Sequence, residues 1–185
     1  AEGERDFLTV TIGRGIGLGI MANGIPFRGA TGGAGEFGHL VIDQEGPVCS
    51  CGNRGCLEMY ACEPALVQRA AQKLNQDIKS IEEVVSLAEQ GNPDVASILA
   101  EAGRLIGNKI GDLITLMGPR LVIVSGEGTR LGDYLFQPMV EAVERQVMPA
   151  LRGSYQIQVE PWGDDAWARG AACLVLNRIF VSPQV

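Results

Sequence analysis

The apolar positions of this chain alternate in short runs near its start and fall into helical spacing further on. Residues 7–12, FLTVTI, are β-branched and aromatic and predict a strand. A glycine-rich turn over 13–17 leads to a second strand near 18–22. Ala22-Asn23-Gly24 is a hairpin signal ahead of a short third strand near 25–28. Residues 29–38 are too rich in glycine for regular structure and predict an ordered loop, and 39–42 are apolar enough for another short strand.

After Cys56 the period changes. Pro64 suits a first helical turn, with Leu66, Val67, Ala70, Ala71 and Leu74 following at helical spacing. A second helix covers 81–88 and closes at Gly91. From Pro93 one apolar stripe, Val95 through Ile106 and Ile114 to Met117, predicts a long core helix that ends at Gly118-Pro119. Leu121-Val122-Ile123-Val124 reads as a buried strand, 134–147 as a helix, 157–159 as a strand and 165–180 as a final helix. Three early strands followed by alternating helices and strands predict an α/β fold, with no internal repeat.

Composition narrows the function. At 185 residues and 46% hydrophobic, the chain can build one well-cored domain. A formal net charge of -7 argues against this surface binding nucleic acid, where Lys and Arg on phosphates dominate. No membrane span or signal-peptide pattern is present, so the expected setting is cytoplasmic. Five cysteines cannot all pair, which favours metal or chemistry over a disulfide framework. Cys62 and Cys173, in apolar helical contexts, are expected to be buried small hydrophobes.

The remaining thiols, Cys49, Cys51 and Cys56, follow the only histidine, His39. Three soft thiolates and one imidazole at short spacing suit a closed, structural tetrahedral zinc site. Gly52 and Gly55 let the loop bend tightly enough for the sulfurs to converge. Glu36 precedes the histidine and Glu58 follows Cys56, so closing the loop should bring both carboxylates toward the imidazole. Paired carboxylates there could accept from the vicinal hydroxyls of a sugar, although spacing alone is equally consistent with two solvated surface residues.

The stretches TIGRGIGLGI (11–20), RGATGGAGEFGHL (28–40) and CSCGNRGCLE (49–58) resemble the ROK family of repressors and sugar kinases. The similarity continues through GPRLVIVSGEG (118–128) and GDDAWARGAA (163–172), essentially the whole chain. It implies an actin-like (ribonuclease H-like) ATPase fold, of which this would be the C-terminal lobe, a single domain over 1–185. That lobe would comprise a zinc loop at 39–56, a helical part at 63–118 and a closing α/β part at 119–181. It also implies zinc on His39, Cys49, Cys51 and Cys56, and sugar held in part by Glu36, His39 and Glu58. With one ring nitrogen on the metal, the other edge of the imidazole is set to face the sugar.

Two positions depart from the kinase pattern. Where family kinases carry a small hydroxyl residue in the first glycine-rich turn (Thr11, Gly13, Gly15 and Gly17 here), this chain has Arg14. In the later, adenosine-side turn, kinases tend to have consecutive glycines, but Glu127 stands between Gly126 and Gly128. Glu127 and DDAWARGAA (164–172) look more like xylose-repressor-type members than kinases, with the first turn a vestigial phosphate loop. The resemblance further implies that a preceding lobe, with the catalytic Asp of kinases, and a DNA-binding winged helix lie outside this sequence. The expectation is thus the sugar-binding, dimerising part of a repressor, not an enzyme, with the lobe of a hexose or N-acetylhexosamine kinase as runner-up. A zinc-stabilised dimerisation module with a vestigial sugar site is the blander third reading.

Overall fold

A computed structural model describes residues 3–161 together with 168, 170–173 and 175. Five strands form one sheet in the order β3-β2-β1-β4-β5. Strand β1 (Phe7–Ile12) pairs antiparallel with β2 (Ile16–Ala22), from Phe7↔Met21 to Ile12↔Ile16. On its other side β1 runs parallel to β4 (Leu121–Ser125), which in turn runs parallel to β5 (Gln156–Val159). The patterns of the two central strands explain their places. β1 alternates, burying Leu8, Val10 and Ile12, whereas all of β4 is buried, as its unbroken apolar run requires in a parallel arrangement.

Helices α1 (Glu58–Ala61), α2 (Glu63–Leu74), α3 (Ile81–Glu89), α4 (Pro93–Met117) and α5 (Asp133–Gln146) supply the other layer. Asn92 starts α4 by accepting from the amides of Asp94 and Val95, and Gly118 ends it in the left-handed region at φ 57°. Its apolar stripe is buried from Val95 to Ile114, although Met117 at the end of the predicted stripe is exposed, and a row of glycines is buried beside it. A Cβ on Gly103 would overlap the Leu135 carbonyl, one on Gly107 the Met139 carbonyl, and one on Gly111 would stand 2.6 Å from Gln146 Cβ. The backbones of α4 and α5 therefore meet directly along this row.

Several expectations need correction. The third strand is only Ile25–Pro26. The strand expected over 39–42 does not form. Phe37–His39 is a 3-10 turn, Val41 makes one isolated bridge to Cys56, and the amides of Ile42 and Asp43 both turn to the Gly55 carbonyl. Those amides close a loop instead of extending a ladder. Helix α1 and a 3-10 turn at Glu127–Leu131 were not anticipated. Cys62 is buried, but Cys173 is exposed, in a stretch where 170–173 and 175 all face solvent. Those residues are helical, while most of the predicted final helix at 165–180 lies outside the described residues.

Candidate metal centre and ligand cleft

Two apolar anchors hold the cysteine loop. Phe37 is 2% exposed and plugs the core on the near side, where Gly38 packs against the backbone of Ile16. Leu57, fully buried, does the same on the far side, and its amide donates to the Leu40 carbonyl at 2.9 Å. Between them the chain doubles back at Gly52 and Gly55, both in the left-handed region at φ 95° and 64°. A side chain on Gly55 would collide with the Asp43 backbone, so the bend needs glycine there. From below, the Tyr60 hydroxyl donates to Asp43 Oδ2 at 2.8 Å.

This frame gathers His39, Cys49, Cys51 and Cys56 so that one ligand atom of each lies within 4.8 Å of every other. Cys51 and Cys56 sulfurs are 3.6 Å apart, and Cys49 Sγ is 3.4 Å from His39 Nδ1. Tetrahedral zinc with bonds of about 2.3 Å to sulfur and 2.0 Å to nitrogen sets such edges at roughly 3.5–3.8 Å. The donor set and its spacing fit zinc. The cluster would hold it through His39 Nδ1 and three sulfurs, with no open position. Without metal the same crowding shows as competing protonation. Burial, then the neighbouring sulfurs, pushes the Cys56 thiol up to about 12, while the Asn53 backbone amide draws the Cys51 thiol down. The hydrogen bond to Cys49 raises His39, with the Glu58 and Glu36 carboxylates adding to it against burial.

The two glutamates flank the imidazole. Glu36 Oε2 lies 3.8 Å from Nε2, and Glu58 Oε1 lies 3.4 Å from Nδ1 and 3.1 Å from Cys49 Sγ. Glu58 stands at the border of two places. Its other oxygen faces the first glycine turn, 3.9 Å from where a Cβ on Gly15 would be. Glu58 helps to line a cleft of about 470 Å³ with Thr11, Ile12, Gly13, Arg14, Gly15, Ile16, Gly17 and Glu127.

The later glycine turn closes the same cleft from the end of β4. Gly126, at φ 101°, and Gly128 sit on Ile12 with no room for a Cβ. Between them Glu127 reaches over, and its carboxylate occupies the position a side chain on Gly13 would take. The structure thus brings together Thr11, Gly13, Arg14, Gly15, Gly17, Glu58 and Glu127.

One group escaped sequence reasoning. Glu63 begins α2, donates its amide to the Gly13 carbonyl at 2.9 Å, and buries its carboxylate 3.6 Å from Arg130 Nε. Arg130 also pairs with Glu82 on α3 and donates to the Glu127 carbonyl at 2.8 Å. Burial raises the Glu63 carboxyl above its ordinary range, partly opposed by Arg130. A lone Glu at a helix start carries no signal that would have found this network.

Comparison with known proteins places this geometry. The model of the ROK family matches residues 1–178. The chain is 30% identical over 180 residues to the xylose repressor of Bacillus subtilis, covering 97% of this chain and 46% of that protein. It is 29% identical over 191 residues to a glucokinase of Thermotoga maritima, covering 96% of this chain and 60% of that one. A ROK family glucokinase from Streptomyces griseus, solved with glucose and AMPPNP, superposes with a TM-score of 0.83 at 30% identity over 93% of this chain and 61% of its own. A ROK family transcriptional regulator, a homologue of the E. coli MLC protein, does so at 0.82 and 26%, covering 92% and 46%. The chain spans about half to three-fifths of the length of these relatives. Its fold is the mixed α/β fold of the actin-like sugar kinases.

Proposed function

This chain belongs to the ROK family, and we propose that it is the C-terminal, sugar-binding and dimerising lobe of a ROK transcriptional repressor, braced by zinc and without kinase activity. One observation carries the choice between repressor and kinase. The Glu127 carboxylate lies over Gly13, in the turn where a nucleotide phosphate would need backbone N–H groups. Like charges repel there, and Arg14 beside it replaces the small hydroxyl side chain of the kinase pattern. The equal likeness to glucokinases keeps the kinase lobe as the second reading.

Zinc, when bound, would cross-link a loop that has almost no core of its own and hold the imidazole in one tautomer. With Nδ1 on the metal, the proton sits on Nε2, which then donates beside Glu36. Glu36 and Glu58 accept from sugar hydroxyls, and residues outside 1–185 complete the pocket. Sugar binding would act on DNA by favouring one arrangement of lobes over another, which needs unequal affinity for the two. No helix among the described residues is long and apolar enough to cross a membrane. A cytoplasmic, homodimeric repressor fits this reading.

The test is calorimetry of the intact protein with ATP, together with sugar-dependent ATP hydrolysis. No hydrolysis and weak or absent ATP binding are expected. Arg14→Thr with Glu127→Gly should raise ATP affinity. Kinase-like affinity in the unaltered protein would instead favour the second reading.

A further inference from the structure

We infer that Cys51 and Cys56 form a peroxide-sensitive modification site, whose oxidation to a disulfide expels the metal and disarms His39 and Glu58. The inference rests on the zinc reading above and extends it to regulation of the same site. Three observations carry it. The two sulfurs are 3.6 Å apart and need only close to about 2 Å to bond. Cys51 is exposed, so an oxidant reaches it, while Cys56 is fully buried directly behind it. The third sulfur, Cys49 Sγ, makes its own contacts at 3.4 Å to His39 Nδ1 and 3.1 Å to Glu58 Oε1.

The chemistry balances with hydrogen peroxide as oxidant. The Cys51 sulfur attacks the terminal peroxide oxygen, the O–O bond breaks, and water leaves, giving a sulfenic acid. The Cys56 sulfur then attacks the Cys51 sulfur. An S–S bond forms, the S–O bond breaks, and the departing hydroxide leaves as a second water. Two electrons pass from the sulfurs to the peroxide. The two protons required come from the thiols, or from solvent where the sulfurs were metal-bound thiolates. Cys49 and His39 remain, and two ligands are too few for structural zinc. Loss of the metal frees the imidazole to turn away from Glu36 and lets the loop that ends at Glu58 relax.

The experiment uses zinc-loaded protein and one equivalent of hydrogen peroxide. About one zinc per chain should pass to a chromogenic chelator, with two free thiols lost in step. Trypsin cuts after Arg28, Arg54 and Arg69, so the disulfide should join peptides 29–54 and 55–69. Because these also carry Cys49 and Cys62, fragmentation of the joined pair in the mass spectrometer must place the bond on Cys51 and Cys56. Reduction followed by added zinc should restore the starting state, and Cys173→Ser should release zinc as the unaltered protein does. Zinc retained while the thiols oxidise, a link joining another pair of cysteines, or loss of sensitivity in Cys173→Ser overturns the inference. Protein that never takes up zinc defeats the zinc reading on its own. The peptide map of that protein still decides the disulfide: a Cys51–Cys56 link supports it, and any other outcome overturns it.

Discussion

The cysteine loop and the α4–α5 pair both depend on glycines at close quarters, yet they are held together in opposite ways. In the loop, Leu40, Val41 and Val48 are exposed, Val48 by 58%, and the buried Cys49 and Cys56 lie outside the main apolar cluster. Its glycines allow sharp reversals, and the convergence they produce is of sulfurs. In α4 the glycines lie in mid-helix, where they let two backbones touch, and the surrounding Ile and Leu side chains join the central core. One region is made by what it can bind, the other by what it excludes. Removing a ligand should therefore loosen the loop alone, whereas adding a methyl to α4 should threaten the whole lobe.

The largest effect tests the second half of that contrast. On an exposed helix, replacing Gly by a larger residue usually gains up to about 1 kcal/mol. At Gly107 the added Cβ meets the Met139 carbonyl, a backbone atom that can yield only by moving α5. The clash outweighs the propensity, and Gly107→Val should cost about 3–5 kcal/mol. Chemical denaturation of the variant measures it. A variant as stable as its parent would mean that the helices are not in backbone contact.

Chelation tests the other half. Cys56→Ser, or exhaustive removal of metal, should reduce zinc from about one per chain toward zero. Hydrogen exchange should then quicken in residues 40–56 while protection along α4 and α5 persists. Binding must also strengthen as pH rises, because a Cys56 thiol raised to about 12 without metal has to release its proton to coordinate. Affinity independent of pH would argue that Cys56 is not a ligand.

Legibility follows the same divide. The long helix α4 and the strands β1 and β4 could be read from periodicity, because each buries a regular face against one core. His39, Cys49, Cys51 and Cys56 were legible for another reason: rare residue types were concentrated in one short stretch. Nothing in residues 39–42 could reveal that the Ile42 amide, with that of Asp43, turns to the Gly55 carbonyl, since so apolar a stretch is equally strand-like. The part played by the α4 glycines depends on α5, which no local pattern places against them. Glu63 and Arg130, 3.6 Å apart in space, are widely separated in sequence and had no local pattern to betray them.

Glu58 sits where the loop meets the cleft, and its replacement should separate binding from bracing. A hydrogen bond from a neutral hydroxyl to a charged carboxylate is worth roughly 1.5–3 kcal/mol, so Glu58→Ala in the intact protein should weaken sugar binding about ten- to a hundredfold. Zinc content should not change, because Glu58 borders the cluster without belonging to the four that gather. Calorimetry with candidate sugars, beside metal analysis, reads both. Unchanged sugar affinity would move the effector elsewhere, and lost zinc would make Glu58 part of the brace.

The smallest effect concerns Glu63, which ties the glycine turn to the helical layer and so belongs to both regions. Its side chain is 11% exposed, and burial holds its carboxyl above the ordinary value, more than the Arg130 guanidinium at 3.6 Å can offset. A carboxyl raised on folding binds its proton more tightly in the native state. Its contribution to stability is then fully present below the unfolded carboxyl value and declines as pH rises through the folded one. Glu63→Gln keeps the shape and cannot ionise, so it lacks that decline. Between pH 4 and pH 8 the difference in melting temperature should therefore move in favour of the variant. Differential scanning calorimetry of both proteins at the two pH values decides the sign. A shift in favour of the unaltered protein would mean that Arg130 more than repays the burial of charge, making the Glu63–Arg130 pair a clasp between α2 and the later glycine turn.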